Sequence, residues 1–125
     1  MILVDTVIWI DYLADRQSTL SRLLDQKVVL SHPFVIGEVA LGSLRDRRAV
    51  LSGLARLPFA TVALDEEVVD VIERHGLNGS GIGYVDAHLL VSTMLTPSTL
   101  LWTRDRRLAS AAARLDVLAS AGDLA

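Results

Sequence analysis

Helical apolar patterns alternate along the chain with short, almost wholly apolar runs. Ile2-Leu3-Val4, Val28-Val29-Leu30 and Thr99-Leu100-Leu101-Trp102 read as buried strands. Residues 59–64 predict a further strand and residues 116–118 a short closing one. A helix entered at Asp5-Thr6 carries Val7, Ile8, Ile10, Tyr12 and Leu13, with charge at Asp11 and Asp15. Residues 18–26 predict a second helix, capped by Ser18, with Leu20, Leu23 and Leu24 on its apolar face. Ser31-His32-Pro33 starts a third, since proline is tolerated in a first helical turn, and this helix fades near Gly42. Asp46 caps a fourth that Pro58 stops, and Asp65 caps a fifth that ends at Gly76. Residues 84–95 form an apolar helix, and Asp105 opens the last one. Strands alternating with helices predict an α/β fold, a three-layer α/β/α arrangement with a central, mainly parallel sheet of four or five strands. Trp9, Trp102, Phe34 and Phe59 are expected in its core. No repeat or linker interrupts the pattern, so residues 1–125 read as one domain.

Composition narrows the chemistry. Apolar residues make up 51% of the 125 residues, enough for a packed core and too many for a disordered chain. The absence of cysteine excludes disulfide scaffolds, thiolate zinc sites and cysteine nucleophiles. His32, His75 and His88 share no ligand spacing, which argues against a histidine zinc site. The longest uncharged run, residues 87–103, includes His88, Ser92, Thr93, Pro97 and Ser98 and makes a poor membrane span. The first residues lack the basic region of a secretory signal, and a cytoplasmic protein is expected.

The net charge of −3 runs against a nucleic-acid partner, but the distribution qualifies it. All the basic residues except Lys27 are arginine, and they form two tight groups: Arg45, Arg47, Arg48 and Arg104, Arg106, Arg107. Guanidinium groups suit bidentate phosphate contacts. Solvated helix ends explain either group alone equally well.

Four acids stand out. Asp5 follows the first strand and Asp105 lies shortly after the 99–102 strand, at the carboxyl ends where open parallel sheets bind ligands. Taken singly, each is accounted for as a helix N-cap. Glu38 shares its helix face with Phe34, Val35, Leu41 and Gly42, and Asp86 has Ile82, Gly83, Leu89 and Leu90 as its helical neighbours. Both carboxylates are therefore expected to face apolar surroundings, at a cost of several kcal/mol unless something compensates. A cation would compensate both, whereas backbone donors or an arginine from another element would account for either one. Two charges about 4 Å apart repel by roughly 4 kcal/mol near a protein surface, so four converging carboxylates require a metal. Oxygen-only ligation selects Mg²⁺ or Mn²⁺, and such ions suit phosphodiester hydrolysis.

Asp5-Thr6, the Ile36-Gly37-Glu38-Val39-Ala40-Leu41-Gly42 helix, Asp86-Ala87 and Thr103-x-Asp105 together resemble the acidic signature of PIN-domain ribonucleases. In length and motif order the chain is most similar to VapC toxins of bacterial VapBC toxin–antitoxin systems. The resemblance implies a Mg²⁺- or Mn²⁺-dependent endoribonuclease that dimerises and is neutralised by a VapB-type antitoxin in a toxin–antitoxin hetero-oligomer. It assigns metal binding or catalysis to Asp5, Glu38, Asp86 and Asp105. Thr103 would position Asp105 or a water, and Thr6 would do similar work. Arg45, Arg47, Arg48, Arg104 and Arg107 are the candidates for RNA phosphate contacts. His88 departs from the aliphatic residue usual at that place, and a satisfied helix histidine accounts for it better than a contact to RNA or antitoxin.

Other readings fare worse. A receiver domain needs a lysine after a late strand, and the sole lysine is Lys27. A haloacid-dehalogenase-type site needs an aspartate where Val7 stands. The glycine stretch 76–83 follows a helix and lacks the Gly-Lys-Ser/Thr of a phosphate cradle. The remaining rival is a catalytically silent PIN-like module that binds RNA or a partner.

Overall fold

The computed structural model describes residues 1–15 and 18–125. Strand β1 (Ile2–Val4) is the centre of a parallel sheet, flanked by β2 (Val29–Leu30) on one side and β3 (Leu100–Trp102) on the other. Ile2 aligns with both Val29 and Leu100, and Val4 with Trp102. A central parallel strand is covered on both faces, which explains the unbroken apolar run of β1; Leu3 and Val4 are fully buried.

Among the described residues the sheet has three strands rather than the expected four or five. Residues 59–64 and 116–118 run beside its two edges but meet them at one bridge each, Ser31 with Phe59 and Leu101 with Leu118. On the first edge, Pro33 starts a helix right after the bridge and turns the chain away before a ladder can form. On the second, Leu101 N donates to Val117 O at 2.7 Å and Ala119 N to Leu101 O at 2.9 Å. The left-handed backbone of Asp116 at the start of this segment, and the Ser120–Asp123 turn just after, limit it to that.

Helices α1 (Thr6–Asp15) and α2 (Ser18–Asp25) connect β1 to β2. Helices α3 (Pro33–Ala40), α4 (Arg47–Arg56), α5 (Asp65–Arg74) and α6 (Tyr84–Leu95) lead to β3, and α7 (Arg106–Arg114) follows it. The cap expected from Ser18 lies outside the described residues. His32 caps α3, its Nδ1 accepting from Phe34 N at 3.0 Å. Asp105 caps α7 as expected, accepting from Leu108 N at 2.9 Å. Asp46 does not cap α4: its backbone is left-handed (φ 51°), and a capping side chain needs extended backbone to reach the first free N–H groups. Asp65 is the first residue of α5 rather than its cap; Glu67 reaches back to Leu64 N at 2.8 Å instead.

The core gathers both faces of β1 with Ile8, Trp9, Val35, Val39, Leu89, Leu90 and Leu108. Two aromatic residues expected there are at the surface, Phe34 at 36% and Phe59 at 43% exposure, and Trp102 is half-buried. Phe34 lies against the rings of His88 (4.8 Å) and His32 (5.3 Å), so it covers buried histidines instead of entering the core. Phe59 sits at the outer edge of its single bridge. Among the described residues, no helix is long and apolar enough to cross a membrane.

Candidate active site

The chain leaves β1 for β2 and then crosses back past β1 to β3, so the direction of connection reverses at the carboxyl end of β1. Such a reversal opens a crevice between strand ends. Asp5 and Thr103, the residues immediately after β1 and β3, meet there. Asp5 is buried; its Oδ1 accepts from Thr6 N and its Oδ2 from the Thr103 hydroxyl, both at 2.7 Å. The Thr103 Oγ1 in turn accepts from Asp105 N at 3.1 Å. Thr103 thus holds the Asp5 carboxylate directly and, through the same hydroxyl, the backbone N–H of Asp105. Thr6 does comparable work, donating to Glu38 Oε1 at 2.6 Å.

Glu38 is exposed, contrary to the expectation of a core-facing carboxylate. The face of α3 that enters the core carries Val35 and Val39, whereas Leu41 on the face of Glu38 is 89% exposed. Asp86, in the first turn of α6, is half-buried as expected. Asp5, Glu38, Asp86 and Asp105 all line one cavity of about 560 Å³, with Thr6 and Arg104 beside them and Val7, Ile10 and Leu41 on its apolar wall. The last three carried no sequence signal, because exposed apolar positions on a helix look like ordinary surface scatter. Burial first, then the nearby Asp5, Asp105 and Glu38, push the Asp86 carboxyl up to about 6.

The donor set fits a hard divalent cation. It is all oxygen, and the raised Asp86 carboxyl registers negative charge that a cation would relieve. Among the described residues no three acidic or histidine side chains close around one point. Mg²⁺ is commonly held in this open way, through one or two carboxylates with waters and substrate phosphates completing the shell.

Of the expected phosphate contacts, Arg104 lines the cavity and pairs with Asp11 of α1. Arg107 lies over Gly81, outside the cavity lining. Arg45, Arg47 and Arg48 stand at the α3–α4 corner, and Arg47 donates to the carbonyls of Ala40 and Gly42 at the end of α3. His88 is buried, with Nε2 bonded at 2.8 Å to Asp65 Oδ1, which also accepts from the Tyr84 hydroxyl at 2.9 Å. The expected satisfied helix histidine is met at Nε2 only, since Nδ1 has no partner among the described residues. A second buried histidine escaped sequence reading: His32 Nε2 bonds Ser92 Oγ at 3.0 Å, and Ser92 Oγ also accepts from Ala63 N. Ser31-His32-Pro33 signalled only a helix start.

A family model of the PIN domain matches residues 2–114. Ribonuclease VapC32 of Mycobacterium tuberculosis, in strain CDC 1551 / Oshkosh and in strain ATCC 25618 / H37Rv, is 44% identical over 117 residues, covering 94% of this chain and 94% of the relative. No solved structure matches at a significant level.

Proposed function

The chain belongs to the PIN-domain family, in its VapC group, and from that premise we propose that it is a divalent-metal-dependent endoribonuclease toxin of a VapBC system. The observation that carries this reading is the shared cavity of Asp5, Glu38, Asp86 and Asp105, with the Asp86 carboxyl raised by burial and then by its three acidic neighbours. These four carboxylates would supply the site for Mg²⁺, with Mn²⁺ as the alternative, one or two of them as direct ligands and waters completing the shell. When bound, the ion lowers the pKa of water and offsets charge on the phosphate under attack.

The chain's own residues organise the rest. Thr103 keeps both lone-pair faces of Asp5 oriented together with Thr6 N, and Thr6 steadies Glu38 through its hydroxyl. Asp86 or Asp105 orients the water that attacks phosphorus in line, leaving a 5′-phosphate and a 3′-hydroxyl. Arg104, anchored by Asp11 on the cavity wall, contacts a phosphate of the substrate. Arg107, and at greater distance Arg45, Arg47 and Arg48, contact neighbouring phosphates. A VapB-type antitoxin neutralises the protein, which forms a homodimer and a toxin–antitoxin hetero-oligomer in the cytoplasm as a single domain over residues 1–125.

Purified protein with single-stranded RNA and Mg²⁺ tests the reading. Cleavage should stop on chelation and in Asp5→Asn. Wild-type protein as inert as Asp5→Asn would instead mark a module that binds without cutting.

A further inference from the structure

A second concavity, of about 290 Å³, runs along α7 next to the acidic cavity and is lined by Ser80, Arg106, Arg107, Ser110, Ala111 and Arg114. Among the described residues, no acidic side chain lines it. The same two chain segments border both sites. The segment 80–86 gives Ser80 to the groove and Asp86 to the cavity, and the segment 104–107 gives Arg104 and Asp105 to the cavity and Arg106 and Arg107 to the groove.

Two of the three guanidinium groups lie against the segment between α5 and α6, and one of them, Arg114, is hydrogen-bonded to it. Arg107 lies so close over Gly81 that a Cβ there would stand 2.8 Å from its Cδ and 2.9 Å from its Nη1, and Gly81 itself has φ +85°. Arg114 Nη2 donates to His75 O at 2.8 Å. Arg106 stays exposed on the first turn. Helical spacing lines these groups up: Arg107, Ser110 and Arg114 fall on one stripe, with Arg106 four residues before Ser110. A row of guanidinium and hydroxyl donors fits a row of phosphates, and held arginines lose less freedom on binding.

We propose that the α7 groove is the track that carries the RNA backbone on one side of the phosphate to be cut, with Arg106 and Arg114 as phosphate contacts and Ser80 and Ser110 as supporting donors. The cutting rests on the nuclease reading above, but the track is a statement about binding and can be tested without turnover. Single-stranded RNA is favoured over an acidic peptide because the segments 80–86 and 104–107 that border the groove also border a cavity fitted for a cation and a phosphate.

The test uses Asp5→Asn protein, which leaves RNA intact, and the anisotropy of a labelled single-stranded RNA across a KCl series. Adding Arg106→Ala and Arg114→Ala should weaken binding and flatten the plot of log affinity against log salt by about 1.4, the slope of two phosphate contacts on a single strand. Arg56→Ala, on α4, should leave both unchanged. Because Arg114 also ties down His75 O, Arg106→Glu alone provides a second variant, expected to weaken binding several-fold without lowering Tm. In otherwise wild-type protein the Arg106/Arg114 pair should raise KM for RNA. Unchanged affinity and slope in the α7 variants would overturn the proposal, as would retained RNA binding with loss of binding to a polyglutamate peptide. Groove-dependent RNA binding by a protein that does not cut would remove the nuclease reading and leave the track; cutting that ignores the groove would do the reverse.

Discussion

Two polar regions share helix α6 and differ in how their charges are met. On the first turn, Asp86 faces a cavity with three other carboxylates, and burial together with their repulsion raises its carboxyl to about 6. A little further along the same helix, the buried Ser92 meets His32 and Ala63 N, and the buried His88 meets Asp65 through Nε2, its Nδ1 alone lacking a partner among the described residues. Polar groups satisfied inside the protein hold the fold together. Charges gathered and left unsatisfied cost stability and wait for a ligand. The contrast therefore separates the machinery of α6 from its scaffolding.

Substitutions should split the two regions cleanly. Asp86→Asn is expected to lower RNA cleavage by about a hundredfold or more, the scale of losing a preorganised electrostatic group. The same change should raise the Tm of metal-free protein, because it removes a repelled charge; a lower Tm would show that the carboxylates are already compensated. Thr103→Val should cost cleavage about 10- to 100-fold, the range for residues that orient a metal ligand, with little change in Tm. On the other side, Ser92→Ala leaves His32 Nε2 and Ala63 N without their shared partner and should cost about 1–3 kcal/mol by urea denaturation. Cleavage per folded molecule should survive it.

The two regions should also respond oppositely to pH. The Asp86 carboxyl is raised above its unfolded value, so its contribution to stability is present in acid and is lost as pH climbs through about 6. Mg²⁺ should therefore raise Tm more at pH 7.5 than at pH 5. Burial, with His88 nearby, holds His32 down at about 4, below its unfolded value. Its contribution is present at neutral pH and fades as pH falls from 6.5 towards 4. A metal-free Tm that rises steadily from pH 4 to pH 8 would show that the carboxylate repulsion is too weak to matter. The smallest effect expected is at Gly81→Ala, about 1 kcal/mol from the left-handed backbone, accompanied by displacement of Arg107.

Much of this was legible along the chain, for reasons that can be named residue by residue. Apolar periodicity marked β1, β3 and the full extent of α6, since those elements bury continuous faces. The four acids were visible because carboxylates at strand ends and amid apolar neighbours are costly enough to demand a purpose. What escaped depended on direction in space. Glu38 sits on an apolar-looking stripe, yet only the Val35–Val39 side of α3 enters the core, so its carboxylate opens on the cavity. Asp65 has the position of a cap but turns to Tyr84 and His88. Residues 59–64 have the composition of a strand, but they meet only Ser31, just past β2, before Pro33 starts α3.

Local sequence determined where helices and strands begin, which residues are apolar, and which acids lack a nearby counter-charge, because these follow from the period of the backbone and the cost of burial over a few residues. Tertiary structure alone decided that Thr103 reaches Asp5 across 98 positions, that Arg104 leans on Asp11, and that three arginines of α7 share a groove with the loop before α6. Hydrogen bonds and ion pairs act over a few ångströms, and only the completed packing says which distant side chains come within that reach.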